Sequence, residues 1–272
     1  MRKVDFVVKK NFLFVLALLV LIFSCSCNSN DSQLQTEYPI NSVVDARDIL
    51  LSATLQYPSS NSEWKYSVYK DATNTYDYFV EITDYLGGSS YIEVPDTIDG
   101  YPVLVIGDGA FSNPDTNGLT FYTSGNETIE QVVLPEGLLK IGMSAFGDLH
   151  KLTTINLPDS IIEIGERAFI RTNISSINIP KGLTTISPYC FYATNIQEII
   201  IPDNIVTIES NAFNYSEIKT ANIPASVSYI GKNAFHDNLD PERLASLTIY
   251  GVPGSEAAIY CAENGINFVP VG

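Results

Sequence analysis

Residues 129–235 write one short module five times, and that repetition constrains the fold more than any other feature of the chain. The lines read IEQVVLPEGLLKIGMSAF, LTTINLPDSIIEIGERAF, ISSINIPKGLTTISPYCF, IQEIIIPDNIVTIESNAF and IKTANIPASVSYIGKNAF. Their prolines are Pro135, Pro158, Pro180, Pro202 and Pro224, spaced by 23 and then by 22, 22 and 22. A fixed period in that range marks a solenoid, in which each unit packs only against its neighbours. The period therefore overrides the one or two globular domains that a chain of 272 residues would otherwise allow.

Within each line the apolar residues stand at the same offsets from the proline. The unit that begins at Ile174 supplies Ile174, Ile177, Ile179, Leu183, Ile186, Cys190 and Phe191. A single unit leaves both ends of this apolar layer open, too little burial to offset the entropy of ordering it, so it folds only when neighbours cover it. Ile177-Asn178-Ile179 alternates as a strand with one buried face. Pro180 lacks an N–H and ends that strand at a corner. Leu183 to Ile186 predicts a second short extended segment. The glycines of Ile141-Gly142, Ile164-Gly165 and Ile230-Gly231 predict a turn with unusual dihedrals. The Ala-Phe pair is expected on a helical turn, the alanine against the next coil and the phenyl ring in the centre. Thr172, Thr194, Ser216 and Asn238 fall at the closing corner, where short polar side chains bond turn backbone.

The repeat resembles the BspA-type leucine-rich repeat, whose pattern L-x-x-I-x-I-P-x-x-V-x-x-I-G-x-x-A-F it matches almost residue for residue from about Tyr91 to Val271. Ala221 departs from an inner aliphatic, Cys190 from the alanine, and Ser187 and Glu209 from the glycine. The resemblance implies a right-handed solenoid with a parallel sheet, found in bacterial surface proteins used for adhesion and protein binding. The expected fold is mostly β with short helical turns: a leucine-rich-repeat solenoid of parallel strands with an N-terminal hairpin cap and a C-terminal helix-strand cap. The repeats are placed at 91–243, the N-terminal cap at 45–90 and a capping repeat at 244–272.

Residues 1–24 read as an export signal, with basic Arg2, Lys3, Lys9 and Lys10 before an apolar run over 12–23 that is short for a membrane span. Leu21-Ile22-Phe23-Ser24-Cys25 resembles a bacterial lipobox, which implies lipid attachment at Cys25. Cys27 is the alternative acceptor, without an apolar residue three positions before it. Residues 25–44 are polar and suit a flexible tether. The expectation is an exported chain, lipid-anchored at the bacterial cell surface or at the outer or cytoplasmic membrane, touching the membrane only through that lipid.

Without Arg2, Lys3, Lys9, Lys10 and Asp5 the chain carries 11 Lys and Arg against 30 Asp and Glu, a net charge of -19. Such a field repels phosphate backbones and argues against nucleic acid as a partner. It equally gives a soluble surface that needs no partner. Cys27, Cys190 and Cys261 lack metal-ligand spacing, and Cys190, in the alanine register, reads as a small buried hydrophobe.

Between tether and repeats, 45–55 predicts a short helix, and 64–69 with 76–85 predicts a hairpin. The first repeat, 91–111, carries about five inserted residues around Asp99-Gly100-Tyr101-Pro102, and a longer insertion follows Phe111. There, 113–118 places oxygen-bearing side chains at alternate positions before a glycine. The first is not aspartate and the twelfth, Ser124, is not glutamate, so an Asx turn is expected and no metal. At the far end Leu244, Leu247 and Ile249 take the strand register, Ser255 is placed to cap a helix through Asn264, Gly265 to end it, and 266–271 to form a last strand.

No Walker loop, dinucleotide fingerprint, His-Glu-x-x-His or nucleophile elbow is present. His150 and His236 read as solvated turn residues. The reading is therefore no enzyme, no catalytic residues and no cofactor. What remains is a ribbon of outward strand positions: Glu130, Gln131 and Val133; Thr153, Thr154 and Asn156; Ser175, Ser176 and Asn178; Gln197, Glu198 and Ile200; Lys219, Thr220 and Asn222. The binding candidates are Thr154, Asn156, Ser176, Asn178, Glu198, Ile200, Thr220 and Asn222, with Phe121 and Tyr122 from the inserted loop. A solvated sheet face is the plain alternative, although solenoids commonly bind through such extended faces. Two functions follow: a surface-anchored module adhering to an extracellular protein or matrix ligand, or, as the alternative, a glycan-capturing lipoprotein that stacks sugars on Tyr101, Phe121 and Tyr122. A glycan site calls for aromatics clustered beside polar groups, a protein site for a broad shallow face.

Overall fold

The computed structural model describes residues 45–112, 127–236 and 241–271. The expected signal and tether with Cys25, the loop residues Phe121 and Tyr122, and the corner residue Asn238 lie outside them.

A file of phenylalanine rings forms the axis of the repeats, as the Ala-Phe register predicts. Phe111 and Phe146 stack with centroids 4.7 Å apart, and Phe169, Phe191, Phe213 and Phe235 continue at 5.4, 5.4, 5.3 and 5.2 Å. From Phe146 onward successive rings lie within 12° of parallel, and all of them are buried. This is the offset stacking that aromatic quadrupoles favour. Tyr85 stacks on Phe111 at one end, with Trp64 edge-on beside it, and Tyr260 meets Phe235 edge-on at the other. The paired alanines, Ala145, Ala168, Ala212 and Ala234, are fully buried, as is Cys190 in the same place.

The turn that carries each ring is not helical. Among the described residues, the positions two before and two after the phenylalanine take the left-handed conformation: Ser144, Arg167, Tyr189, Asn211 and Asn233 at φ 53–60°, and Asp148, Arg171, Ala193 and Tyr215 at φ 55–62°. These reversals aim alternate turn amides along the array, while those between them bond back within their own coil. Phe146 N–H donates to Ala168 O at 2.9 Å, Phe169 N–H to Cys190 O at 3.0 Å, Phe191 N–H to Ala212 O at 2.8 Å and Phe213 N–H to Ala234 O at 2.7 Å. The corner hydroxyls behave as expected: Thr172 and Thr194 donate to Phe169 O and Phe191 O at 3.0 Å, and Ser216 to Phe213 O at 2.5 Å. The glycines do not. Gly142, Gly165 and Gly231 have no positive φ. A Cβ on them would instead lie 2.6, 2.5 and 2.4 Å from the backbone nitrogens of Asp108, Met143 and Ser210 in the preceding coil, so close approach is what they permit.

Two rows of parallel strands complete the coils. The first row holds β4 (Tyr91–Glu93), β7 (Gln131–Val133) and β9 (Thr154–Ile155), then β12 (Glu198–Ile200), β14 (Thr220–Ile223), β16 (Thr248–Gly251) and β17 (Asn267–Pro270). The second holds β6 (Tyr101–Ile106), β8 (Lys140–Ile141) and β10 (Glu163–Ile164), then β11 (Thr185–Ile186), β13 (Thr207–Ile208) and β15 (Tyr229–Ile230). Both rows are interrupted at the same coil. Residues 174–179 form no strand, although Ile174 and Ile179 are buried and Asn178 exposed as alternation predicts, and β10 does not pair with β11.

Before the repeats stand α1 (Ala46–Ser52), β1 (Thr54–Ser60), β2 (Trp64–Lys70) and β3 (Tyr78–Tyr85). Asp45 caps α1 by accepting from Arg47 N–H at 2.9 Å. β2 and β3 are the expected hairpin, and β3 joins the second row by pairing parallel to β6. β1, antiparallel to β2, was not expected: its burial pattern is almost wholly exposed and it contains Pro58, so it shows neither alternation nor strand composition, as an edge strand allows. The insertion near Asp99 is a hairpin between β5 (Thr97–Ile98) and β6, turned at Asp99 (φ 52°) and Gly100 (φ 83°). After the repeats, Leu247 and Ile249 are buried as predicted, but Leu244 sits on a helix, α2 (Pro241–Ser246), rather than in a strand. α3 (Glu256–Asn264) starts at Ser255, whose hydroxyl makes no capping bond, and ends at left-handed Gly265, whose N–H donates to Cys261 O.

Removing one ring should open the axis. Phe191→Ala is expected to cost about 3–5 kcal/mol in chemical denaturation of the full chain, whereas a loss under about 1 kcal/mol would place the ring outside the core.

Candidate binding faces

The strand-row face is where the expected ribbon lies. Register pairs Tyr91 with Gln131 and Gln131 with Thr154, and further along it aligns Glu198, Thr220, Thr248 and Asn267. A second column aligns Ile200, Asn222, Tyr250 and Val269. Thr154, Asn156, Ser176, Asn178, Glu198, Ile200 and Asn222 are exposed and Thr220 is half-buried. Ile200 is 72% exposed, a branched apolar side chain standing in a polar sheet. The face thus offers a flat array at strand spacing, roughly 4.8 Å per coil, with a column that mixes Ile200, Tyr250 and Val269 with Asn222 beside a wholly hydrogen-bonding one.

Two of the expected candidates have their polar groups engaged within the chain. Asn178 Nδ2 donates to Leu157 O at 2.7 Å while its Oδ1 accepts from Leu157 N–H at 3.3 Å, and Asn156 Oδ1 accepts from Leu134 N–H at 3.2 Å. The Asn178 amide reproduces the donor and acceptor of a strand backbone, and it does so at the coil where the first row lacks a strand. Tyr101 is half-buried, its ring 5.4 Å from that of Tyr78. Near it, Tyr66 donates to Asp99 at 2.5 Å, and burial pushes the Tyr66 phenol up, with the Asp99 bond adding to it.

The turn face holds a second cluster, which reading the repeat for its inward positions misses. Tyr189 and Tyr192 lie 5.6 Å apart, and Tyr192 and Tyr215 5.2 Å apart, at tilts of 50° and 44°. The Arg167 guanidinium lies over the Tyr189 ring at 4.8 Å. Arg171 pairs with Asp148 at 2.5 Å, Arg167 with Glu166, and the Asn195 amide donates to Asn173. The signal in the sequence is three tyrosines at outward offsets of consecutive turns, in PYCFYAT and AFNYSE.

A cleft of about 270 Å³ opens between β10 and β11, where the second row is interrupted. Arg47, Leu50 and Leu51 of α1 overhang it, and Arg47 Nη2 donates to Thr184 Oγ1 at 3.4 Å across it. Reactive chemistry is thin. Burial pushes the Cys190 thiol up and the Cys261 thiol up to about 11, so neither supplies a thiolate near neutral pH. His150 is exposed, its Nδ1 3.0 Å from Arg171 O, whereas His236, expected in solvent, is buried beside Phe235, Leu247 and Arg243, the last of these on α2. Among the described residues no cluster of His, Cys, Asp and Glu is arranged to hold a metal ion, and no helix is long and apolar enough to cross a membrane.

Parallel strand rows, a buried aromatic axis and a unit of 22 residues define a leucine-rich-repeat solenoid. Residues 117–240 match the BspA type leucine rich repeat region in six copies, so that stretch is an array of BspA-type leucine-rich repeats. Among solved structures it is similar to the T. pallidum leucine rich repeat protein TpLRR, 20% identical with a TM-score of 0.52, covering 78% of this chain and 98% of that one. It is also similar to a leucine rich cell surface protein of Faecalibacterium prausnitzii A2-165, 24% identical with a TM-score of 0.49, covering 74% of this chain and 55% of that one. At these identities the likeness to TpLRR is one of fold. No curated protein gives a significant match.

If Asn178 ties its coil to the preceding one, Asn178→Ala leaves Leu157 N–H and O without those partners. A loss of about 1–3 kcal/mol in denaturant unfolding is expected. Asn222→Ala, at the same offset in a fully paired strand, should lie within about 0.5 kcal/mol of the parent. Equal effects would dismiss the Asn178 bridge.

Proposed function

We propose that this protein is a cell-surface module that adheres to an extracellular protein or matrix ligand through its strand-row face, without catalysis. The observation that carries this is the in-register column Ile200–Asn222–Tyr250–Val269 beside Glu198–Thr220–Thr248–Asn267. Apolar and aromatic side chains interspersed with hydrogen-bonding ones, on a regular sheet, suit a protein-binding patch. Membership of a repeat class built on extended faces supports the same reading, since such folds offer one long surface rather than an enclosed pocket. Display at the surface would come from a lipid on Cys25, with 26–44 as the tether.

Two measurements test this. Ile200→Asp places a charge at an exposed position, so the fold should be unaffected while adhesion to immobilised extracellular-matrix protein weakens by about tenfold or more, as at an interface hot spot. Unchanged adhesion would remove the strand-row face from the reading. Cys25→Ser should abolish incorporation of labelled fatty acid into the protein expressed in bacteria, and label that persists would move the acceptor to Cys27.

A further inference from the structure

We propose that the turn face carries a carbohydrate site, built on Tyr189, Tyr192 and Tyr215, that takes a neutral polysaccharide. The argument begins with the backbone. Each repeat must hold two residues at φ near +57°, a conformation that costs an L side chain roughly 1–2 kcal/mol and that asparagine and aspartate tolerate best. Several of these positions are filled accordingly, by Ser144, Asp148, Asn211 and Asn233. From the coil of Phe169 to that of Phe213, four of the six such positions are filled by Arg167, Arg171, Tyr189 and Tyr215, among the bulkiest side chains available, with Ala193 and Asn211 at the other two. The turn does not need them, since Asn211 serves the same backbone role one coil beyond Tyr189. Unfavourable choices gathered in one place mark a site with a use beyond folding.

These residues also meet. The three rings form a chain, Tyr189 and Tyr192 5.6 Å apart within one turn and Tyr192 and Tyr215 5.2 Å apart across neighbouring coils, with Arg167 over the first ring. Tyr189 and Tyr192 are half-buried and Tyr215 is 43% exposed. On the corner beside them, Asn173 and Asn195 form a hydrogen-bonded amide pair, and Arg171 and Asp148 an ion pair. A pyranose presents an apolar face of C–H bonds and a rim of hydroxyls. Phenol rings take the first; amide, guanidinium and carboxylate groups take the second.

Two observations favour a sugar over a protein, and a neutral one over an anionic one. A protein hot spot is usually seated among other apolar contacts, but in these turns Tyr215 is the one exposed large apolar side chain among the described residues. Both arginines are paired with carboxylates, Arg167 with Glu166 and Arg171 with Asp148, in a chain of net charge -16, so an anionic polymer gains nothing from the field. The site does not rest on the strand-row reading, since it uses the side of the coil that carries the turns.

Native affinity electrophoresis of the full chain through gels containing soluble starch, mannan, xylan or mixed-linkage β-glucan tests it. Retardation in at least one gel is expected. It should weaken by about tenfold in Tyr192→Ala and in Tyr215→Asn, each removing one ring contact; the latter also suits the left-handed backbone and so leaves the fold intact. Ile200→Asp should migrate as the parent does. No retardation in any of the four gels would overturn the proposal, as would retardation that both tyrosine variants retain. Loss of adhesion to protein in those variants, with the sugar gels silent, would make the patch a protein site and equally overturn it.

Discussion

The backbone ladder on the turn side is the constraint on which the rest of the molecule depends. Both strand rows are interrupted between the coils that end at Phe169 and Phe191, yet the turn-side bonds run through that point, from Arg167 N–H to Pro188 O, Phe169 N–H to Cys190 O and Arg171 N–H to Tyr192 O, at 2.8–3.0 Å. The rings follow from the ladder. Once Phe169 and Cys190 are bonded through their backbones, the side chain of Phe169 has no freedom to leave the file, and Phe191 lands on it at 5.4 Å. Hydrogen bonding sets the rise of the array and aromatic stacking fills its centre, and neither would hold the register alone.

The interruption is bridged by side chains rather than left open. Asn178 offers its amide to Leu157 where a strand would offer backbone, and Ser187 Oγ donates to Ile164 O at 2.5 Å. Ser187 stands where other repeats have glycine, and at Gly165 or Gly231 an added Cβ meets the backbone of the coil before. At Ser187 the hydroxyl makes a bond across the gap where β10 and β11 remain unpaired, whereas Glu209, at the same offset one coil on, keeps its backbone bond to Ile186 O at 2.9 Å. α1 lies over the same gap, with Arg47 reaching Thr184. Ser187, a departure from the repeat pattern, and Asn178, which matches Asn156 and Asn222 at the same offset, thus act together as polar side chains that bond across the interrupted rows.

Most of the fold is legible in the sequence because a solenoid turns long-range contacts into short-range ones. The 22-residue spacing forces Phe169 onto Phe191, the corner threonines bond within three residues of themselves, and Gly265 ends α3 by local geometry. What was not legible depends on distances between coils. Whether Gly142 serves φ or close approach, whether Asn178 faces ligand or Leu157, and whether His236 is wet are settled by how near the next segment lies, and period says nothing of that. The strand β1 was hidden for another reason: with Pro58 and an exposed face it has no alternation to read. The strand-row candidates were legible as outward positions, but the tyrosine cluster was not, because the turn was read for the residues it buries.

That turn separates two tasks which globular folds often mix. The left-handed residues contribute their backbones to the array, and the bonds at Phe146, Phe169, Phe191 and Phe213 are the same whether the position nearby is Ser144, Arg167, Tyr189 or Asn211. Their side chains take no part in the core, so the only restriction on them is the strain of a positive φ, smallest for asparagine and larger for arginine or tyrosine. A position that tolerates any residue at a small cost reports through that cost. The turns from Arg167 to Tyr215, where arginine and tyrosine fill four of the six left-handed positions and the rings of Tyr192 and Tyr215 converge at 5.2 Å, are where the molecule departs furthest from what stacking alone requires.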